Sequence, residues 1–255
     1  MTLKRKIIFI TGASSGFGLA SAELFAKKGA NLIIAARRID RLKKIAKELK
    51  SKYKTEVLPI ELDVRKKLNV ISALKNLPVK WQKIDILVNN AGLSRGLDKL
   101  HEGKLDDWDE MIDTNIKGLL YVSRAVIPLM IKYNSGHVIN IGSIAGHEVY
   151  PKGNVYAATK HAVNAITQGM RMDLVDTNIK VTAIDPGLAE TEFSIIRFRG
   201  DKQKAKEVYR GIEPLNANDV ADAVLYAATR HPNFVIAEMV LLPKHQASAM
   251  VSHRK

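Results

Sequence analysis

The 255-residue chain carries 40 Lys and Arg against 26 Asp and Glu, a net charge of +14, with 46% hydrophobic residues and no cysteine. That length and apolar content suit a single α/β domain over residues 1–255, and the lack of cysteine excludes a disulfide framework, a thiolate nucleophile and a Cys-ligated metal. The positive charge would suit nucleic acid if it were clustered, but Arg41-Leu42-Lys43-Lys44-Ile45-Ala46-Lys47-Glu48 alternates basic and apolar positions as a solvated helix face does.

The chain begins with a β-branched run at 6–10, predicted as a strand, then helical periodicity over about 16–28 and a second strand at 31–35. The alternation continues with a helix over 40–51, a strand near 56–61, a helix over 65–77 and a strand at 84–88. Long helices are predicted over about 108–133 and 155–176, with strands at 137–141 and 180–184, and a helix at 218–229 precedes a strand at 238–242. Strands buried on both faces and joined by helices predict a doubly wound Rossmann fold, its mostly or fully parallel sheet flanked by helices. Residues 197–211 read as an inserted loop or helix. No apolar run is long enough to predict a membrane span; neither membrane nor nucleic acid is an expected partner, and a reducing, cytoplasmic setting is expected.

Between the first strand and helix lies Thr11-Gly12-Ala13-Ser14-Ser15-Gly16-Phe17-Gly18. Glycines there allow a tight turn and close approach of a pyrophosphate to the helix N-terminus, where free N–H groups and the helix dipole favour an anion. The second strand ends in Ala35-Ala36-Arg37-Arg38 rather than in the acid that would hydrogen-bond a ribose 2′-hydroxyl. Two guanidinium groups suit a 2′-phosphate, so NADP(H) is expected over NAD(H). In Asp63-Val64, after the third strand, the Asp is expected to accept from an adenine amino group, to cap the helix beginning near Arg65, or both.

Of seven tyrosines only Tyr156 has a lysine four residues on, a spacing that stacks Lys160 one helical turn from the phenol. A nearby ammonium favours phenolate, which suits a general acid/base whose unperturbed pKa is about 10. Ser143 lies thirteen residues earlier, just past the end of a strand, at the rim where open α/β sheets bind ligands. No His-x-x-x-His pair adjoins a Glu, and no metal is expected.

The glycine-rich turn, Asn89-Asn90-Ala91-Gly92, Asn115, Ser143, Tyr156-x-x-x-Lys160 and Pro186-Gly187 occur in order over nearly the whole chain, which resembles the short-chain dehydrogenase/reductases. The resemblance implies that Tyr156 exchanges a proton with the substrate oxygen and Ser143 hydrogen-bonds that oxygen. Lys160 would hold the nicotinamide ribose and lower the tyrosine pKa, and Asn115 would anchor a proton-relaying water. Asn90, Ala91 and Gly92 would lie against the adenosine side, with Gly92 supplying backbone freedom. Pro186, Gly187 and Thr191 would face the carboxamide.

Asp113-Thr114-Asn115, Gly153-Asn154-Val155-Tyr156 and the run from Thr191-Glu192-Phe193 to Phe198 are similar to the NADP-dependent 3-hydroxy acid dehydrogenases, which act on serine, allo-threonine and related acids. Within a substrate loop of about 187–215, Arg197 or Arg199 is the expected carboxylate partner, with Tyr150, Phe193 and Phe198 as candidate pocket walls. Resemblance further implies a homotetramer joined through the helices near 108–133 and 155–176. The tail at 243–255 is expected to pack on a neighbouring subunit or to fray. The alternatives are reduction of another carbonyl (a ketoacyl thioester, a sugar or a small ketone) and a non-catalytic NADP-binding regulator.

Overall fold

Seven β-branched runs become the strands of one sheet. In the computed structural model, which describes residues 2–255, these are β1 (Ile7–Thr11), β2 (Asn31–Ala36), β3 (Val57–Glu61), β4 (Ile86–Asn89), β5 (Gly136–Ile141), β6 (Ile179–Pro186) and β7 (Glu238–Leu241). They lie in the order β3-β2-β1-β4-β5-β6-β7, every pair parallel. The order reverses between β1 and β4, and that switch opens a crevice at the carboxyl ends of the strands.

Alternate residues of each strand feed opposite faces. Ile8 and Ile10 of β1 pack with α1 (Gly16–Lys27), α2 (Ile39–Tyr53) and α9 (Ala217–Thr229) through Phe25, Leu42 and Val224. Phe9 faces the other way, toward α3 (Lys67–Lys75), α5 (Leu119–Lys132) and α6 (Asn154–Asp173), where Val70, Val126 and Met170 meet it. A capping box between Asn216 and Asp219 sets the start of α9, and Lys54, in the left-handed conformation, ends α2.

Two expectations change. The single long helix over 108–133 is α4 (Leu105–Ile112), a π-helical segment (Asp113–Gly118) and then α5. The wider π turn interrupts the regular ladder, a device found at functional positions, and Asn115 lies within it. The helix after Asp63 starts at Lys67 with no side-chain cap, so Asp63 does not cap it. The segment over 197–211, read as an inserted loop or helix, holds the short helix α8 (Lys202–Glu207), and another short helix, α7 (Glu192–Arg197), leads into it. Among the described residues no helix is long and apolar enough to cross a membrane.

Candidate active site

Where β1 meets α1, Gly12 has φ +66°, and a Cβ there would lie 2.8 Å from Asn90 Nδ2. A Cβ on Gly18 would come within 2.5 Å of the same nitrogen, so both positions require glycine. The turn is fixed from behind: Asn90 Nδ2 donates to Thr11 O at 2.9 Å, and Thr11 Oγ1 accepts from the N–H groups of Asn90 and Ala91, each at 3.0 Å. That leaves the first N–H groups of α1 without intrahelical partners at the edge of an open cleft. The cleft holds about 520 Å³. Gly12, Ser14, Ser15, Gly16, Phe17, Arg37, Arg38, Asp63, Val64, Asn90, Ala91 and Gly92 line one end, and Ser143, Tyr156, Lys160, Pro186, Gly187 and Thr191 the other. Gly18 stands behind the turn.

Arginines gather around this end, each on a carboxylate. Arg38 reaches Ser14 Oγ (3.0 Å), Ser15 Oγ (3.1 Å) and Glu192 Oε2 (3.1 Å), while Arg41 takes Glu192 Oε1 at 2.8 Å. Glu110 on α4 collects Arg95 (2.6 Å), Arg65 (3.2 Å) and, at 3.9 Å, Arg37. Asp63 is gripped by Arg65 from two nitrogens, at 2.9 and 2.7 Å, which holds its carboxyl below the ordinary range. Its lone pairs are therefore largely committed before any adenine arrives. Gly92 has no left-handed backbone; its need is space, because a Cβ would sit 3.3 Å from Asn115 Oδ1.

At the other end, α6 carries Tyr156 and Lys160 on one face, both buried. Lys160 Nζ donates to Ile141 O at 3.0 Å and lies 5.9 Å from the Tyr156 ring centre. Ser143 Oγ accepts from Ala145 N at 3.1 Å, so the start of a short 3₁₀ turn aims the hydroxyl. Asn115 is held by the backbone of Leu93, with Oδ1 accepting at 2.9 Å and Nδ2 donating at 2.8 Å, and by Thr159 Oγ1 at 3.0 Å. It braces the strand end against α6 beside Lys160. Burial pushes the Tyr156 phenol up, opposed first by the Arg197 charge and then by the Ser143 hydrogen bond. Arg197 is the cation set against that rise, while burial pushes Lys160 itself down to about 8.

Arg197 is buried, its guanidinium 5.3 Å from the ring centres of both Tyr156 and Phe193. It donates to Ser94 Oγ at 3.0 Å and to Tyr150 OH at 2.8 Å. Residues 6–200 match the short chain dehydrogenase family. The chain belongs to that family. It is 46% identical over 254 residues to an NADP-dependent 3-hydroxy acid dehydrogenase of Schizosaccharomyces pombe, covering 99% of this chain and 98% of the relative. A protein of the same description from Salmonella typhi is 43% identical over 97% of this chain and 99% of its own. Among solved structures, a closed serine dehydrogenase complexed with NADP+ superimposes with TM-score 0.91 at 42% identity, covering 98% of this chain and all of that one.

In this dehydrogenase the two candidate loop arginines separate. Arg199 is exposed, ion-paired with Asp107 on α4 and part of the cleft lining, whereas Arg197 is buried against Tyr156 just outside that lining. Phe193 lines the cleft and meets Tyr156 edge-on at 5.7 Å; Tyr150 accepts from Arg197 outside the lining, and Phe198 ends α7 outside it too. The tail does not fray. Gln246 is buried with Oε1 accepting from Leu188 N at 2.8 Å, and Lys255 N donates to Gly211 O at 2.8 Å. The tail thus fastens both ends of the 187–215 segment of its own chain. Sequence reasoning also missed Asp185, whose Oδ2 lies 3.0 Å from His147 Nε2 behind Ser143; an acid one residue before Pro186-Gly187 was the available signal.

The dehydrogenase's buried lysine carries a pH signature. Its folded pKa is depressed, so between about 8 and the ordinary 10.5 the unfolded chain binds the extra proton and stability gains with rising pH. Lys160→Met removes an ionisation penalty of up to about 3 kcal/mol. The variant is therefore expected to be the more stable protein at pH 7, with the gap closing from pH 8 upward in denaturant titrations.

Proposed function

We propose that this dehydrogenase oxidises short 3-hydroxy acids such as serine or allo-threonine, with NADP as hydride acceptor. The observation that carries the substrate class is Arg197: a buried guanidinium beside the acid/base tyrosine with no carboxylate within ion-pair distance among the described residues. A buried cation partnered only by hydroxyls and rings is costly until an anion reaches it. A 3-hydroxy acid brings a carboxylate two bonds from the carbon that reacts. The 3-hydroxy acid relatives support the same reading.

The cleft fits an extended dinucleotide phosphate. Arg37 and Arg38 with Ser14 and Ser15 would take the 2′-phosphate, the N-terminus of α1 the pyrophosphate, and Pro186, Gly187 and Thr191 the carboxamide. When bound, the nicotinamide supplies the hydride-accepting carbon. The chain's own groups do the rest: Ser143 Oγ hydrogen-bonds the substrate oxygen, and Tyr156 withdraws its proton as the carbonyl forms. Lys160, held by Ile141 O at 3.0 Å, would bind the ribose hydroxyls. Exposed Leu105, Ile112, Leu120 and Ile131 along α4 and α5 support assembly of a homotetramer through that face.

Initial rates with L-serine, L-allo-threonine, 3-hydroxypropionate and a neutral secondary alcohol, each with NADP and with NAD, test the proposal. Turnover of the acids with NADP is expected to exceed that of the neutral alcohol. Reactivity confined to neutral alcohols and ketones would overturn the substrate assignment and leave the oxidoreductase in place.

A further inference from the structure

Glu192 opens α7, the helix that sets Phe193 and Arg197 against Tyr156, yet its carboxylate is tied to the opposite end of the cleft. Its two oxygens are shared out, Oε2 to Arg38 and Oε1 to Arg41. The same Arg38 nitrogen also binds the hydroxyls of Ser14 and Ser15. Two guanidinium groups, two hydroxyls and a carboxylate between them form a complete oxyanion site whose anion comes from the chain itself. Thr191 lies beside the turn at Gly16, so the whole start of α7 rests on the phosphate loop. Partial burial pushes the Glu192 carboxyl up, but the hydrogen bonds and charges of Arg41 and Arg38 outweigh it and hold it below its ordinary range, so it is anionic at neutral pH.

We infer that Glu192 is a resident stand-in for the cofactor's 2′-phosphate: it occupies Arg38 and Arg41 in the cofactor-free enzyme, and the arriving phosphate displaces it. The inference rests on the reading that Arg38 with Ser14 and Ser15 takes that phosphate. Both anions compete for one arginine, and a carboxylate left beside a phosphate repels it. Glu192 therefore sets how strongly the enzyme favours NADP over NAD. Because Glu192 and Arg197 share one short helix, the exchange also frees the substrate loop only when the phosphorylated cofactor is present. A cofactor lacking the phosphate leaves Arg38 on Glu192 and the loop pinned.

The test is calorimetric titration of NADP, NAD and adenosine 2′,5′-bisphosphate into wild type, Glu192→Gln and Arg38→Ala. With two part-exposed ion pairs released, Glu192→Gln is expected to tighten NADP and the bisphosphate by roughly three- to tenfold while leaving NAD unchanged. In wild type, the bisphosphate but not adenosine 5′-monophosphate is expected to speed amide exchange over residues 192–197. A Glu192→Gln enzyme that binds NADP more weakly, or shifts NADP and NAD alike, overturns the stand-in and leaves the phosphate site intact. Unchanged NADP affinity in Arg38→Ala overturns the phosphate site and the stand-in with it.

Discussion

Tyr156→Phe is expected to lower kcat by about 10³-fold or more while leaving NADP affinity near the wild-type value, because one proton-exchanging oxygen is removed and nothing else. The ring that remains keeps its edge contact with Phe193 and its place under the Arg197 guanidinium, so the pocket keeps its shape. No other described side chain can take over the role. Ser143 Oγ is held by Ala145 N, and Lys160 Nζ is turned to Ile141 O. The phenol's ionisation also fixes the direction of the pH response. Burial raises it and Arg197 and Ser143 oppose that rise, so wild-type oxidation, which needs phenolate, gains rate with rising pH, and carbonyl reduction, which needs phenol, loses it. Stopped-flow measurement of the first turnover checks both statements, and a residual rate in Tyr156→Phe that keeps the wild-type pH profile would show that another group carries the proton.

What the sequence made legible was local. Alternation of β-branched runs with helical periods is a property of short windows, and it located all seven strands to within a few residues. Tyr156 and Lys160 are one helical turn apart, and the glycines of the first turn announce themselves by spacing. What escaped was either a small change of pitch or a pairing between distant segments. The π-helical segment at Asp113–Gly118 preserves the apolar pattern of its neighbours, so nothing in the pattern marks the turn that carries Asn115. Arg38 and Glu192 are 154 positions apart, and Ser94 and Arg197 are 103 apart. Each pair is an ordinary exposed-looking charge or hydroxyl until the sheet order brings the loops together. The depth of Lys160 was hidden for a related reason: proximity along a helix is readable, but the burial that pushes the lysine down to about 8 is set by the whole fold. Gln246 was equally silent, since a glutamine in a patternless tail gains meaning only from the Leu188 N–H it meets.

Arg197→Met is expected to lower kcat/KM for L-serine by about 10²-fold, mostly through KM, because the substrate carboxylate loses a desolvated cationic partner whose removal costs on the order of 2–5 kcal/mol. Methionine keeps an apolar stem of similar length and removes the guanidinium that lies 5.3 Å from the Tyr156 and Phe193 ring centres, so the change removes the charge. A neutral alcohol has no carboxylate to lose and is expected to keep its KM. Its pH profile shifts upward instead, since the cation opposing the burial-driven rise of the Tyr156 phenol has gone. The lysine variant separates charge from geometry. Arg197→Lys retains a cation but lacks the fork that meets Ser94 and Tyr150 at 3.0 and 2.8 Å, and it is expected to recover the pH profile more fully than the serine KM. Stability runs the other way from activity. A guanidinium buried without a carboxylate is an unfavourable element of the substrate-free fold, so the Tm of Arg197→Met is expected to hold or rise, whereas a residue retained for packing alone would lower it. Equal losses for serine and for the neutral alcohol, with a falling Tm, would reassign Arg197 to scaffolding of the substrate loop and leave the carboxylate without a partner in this site.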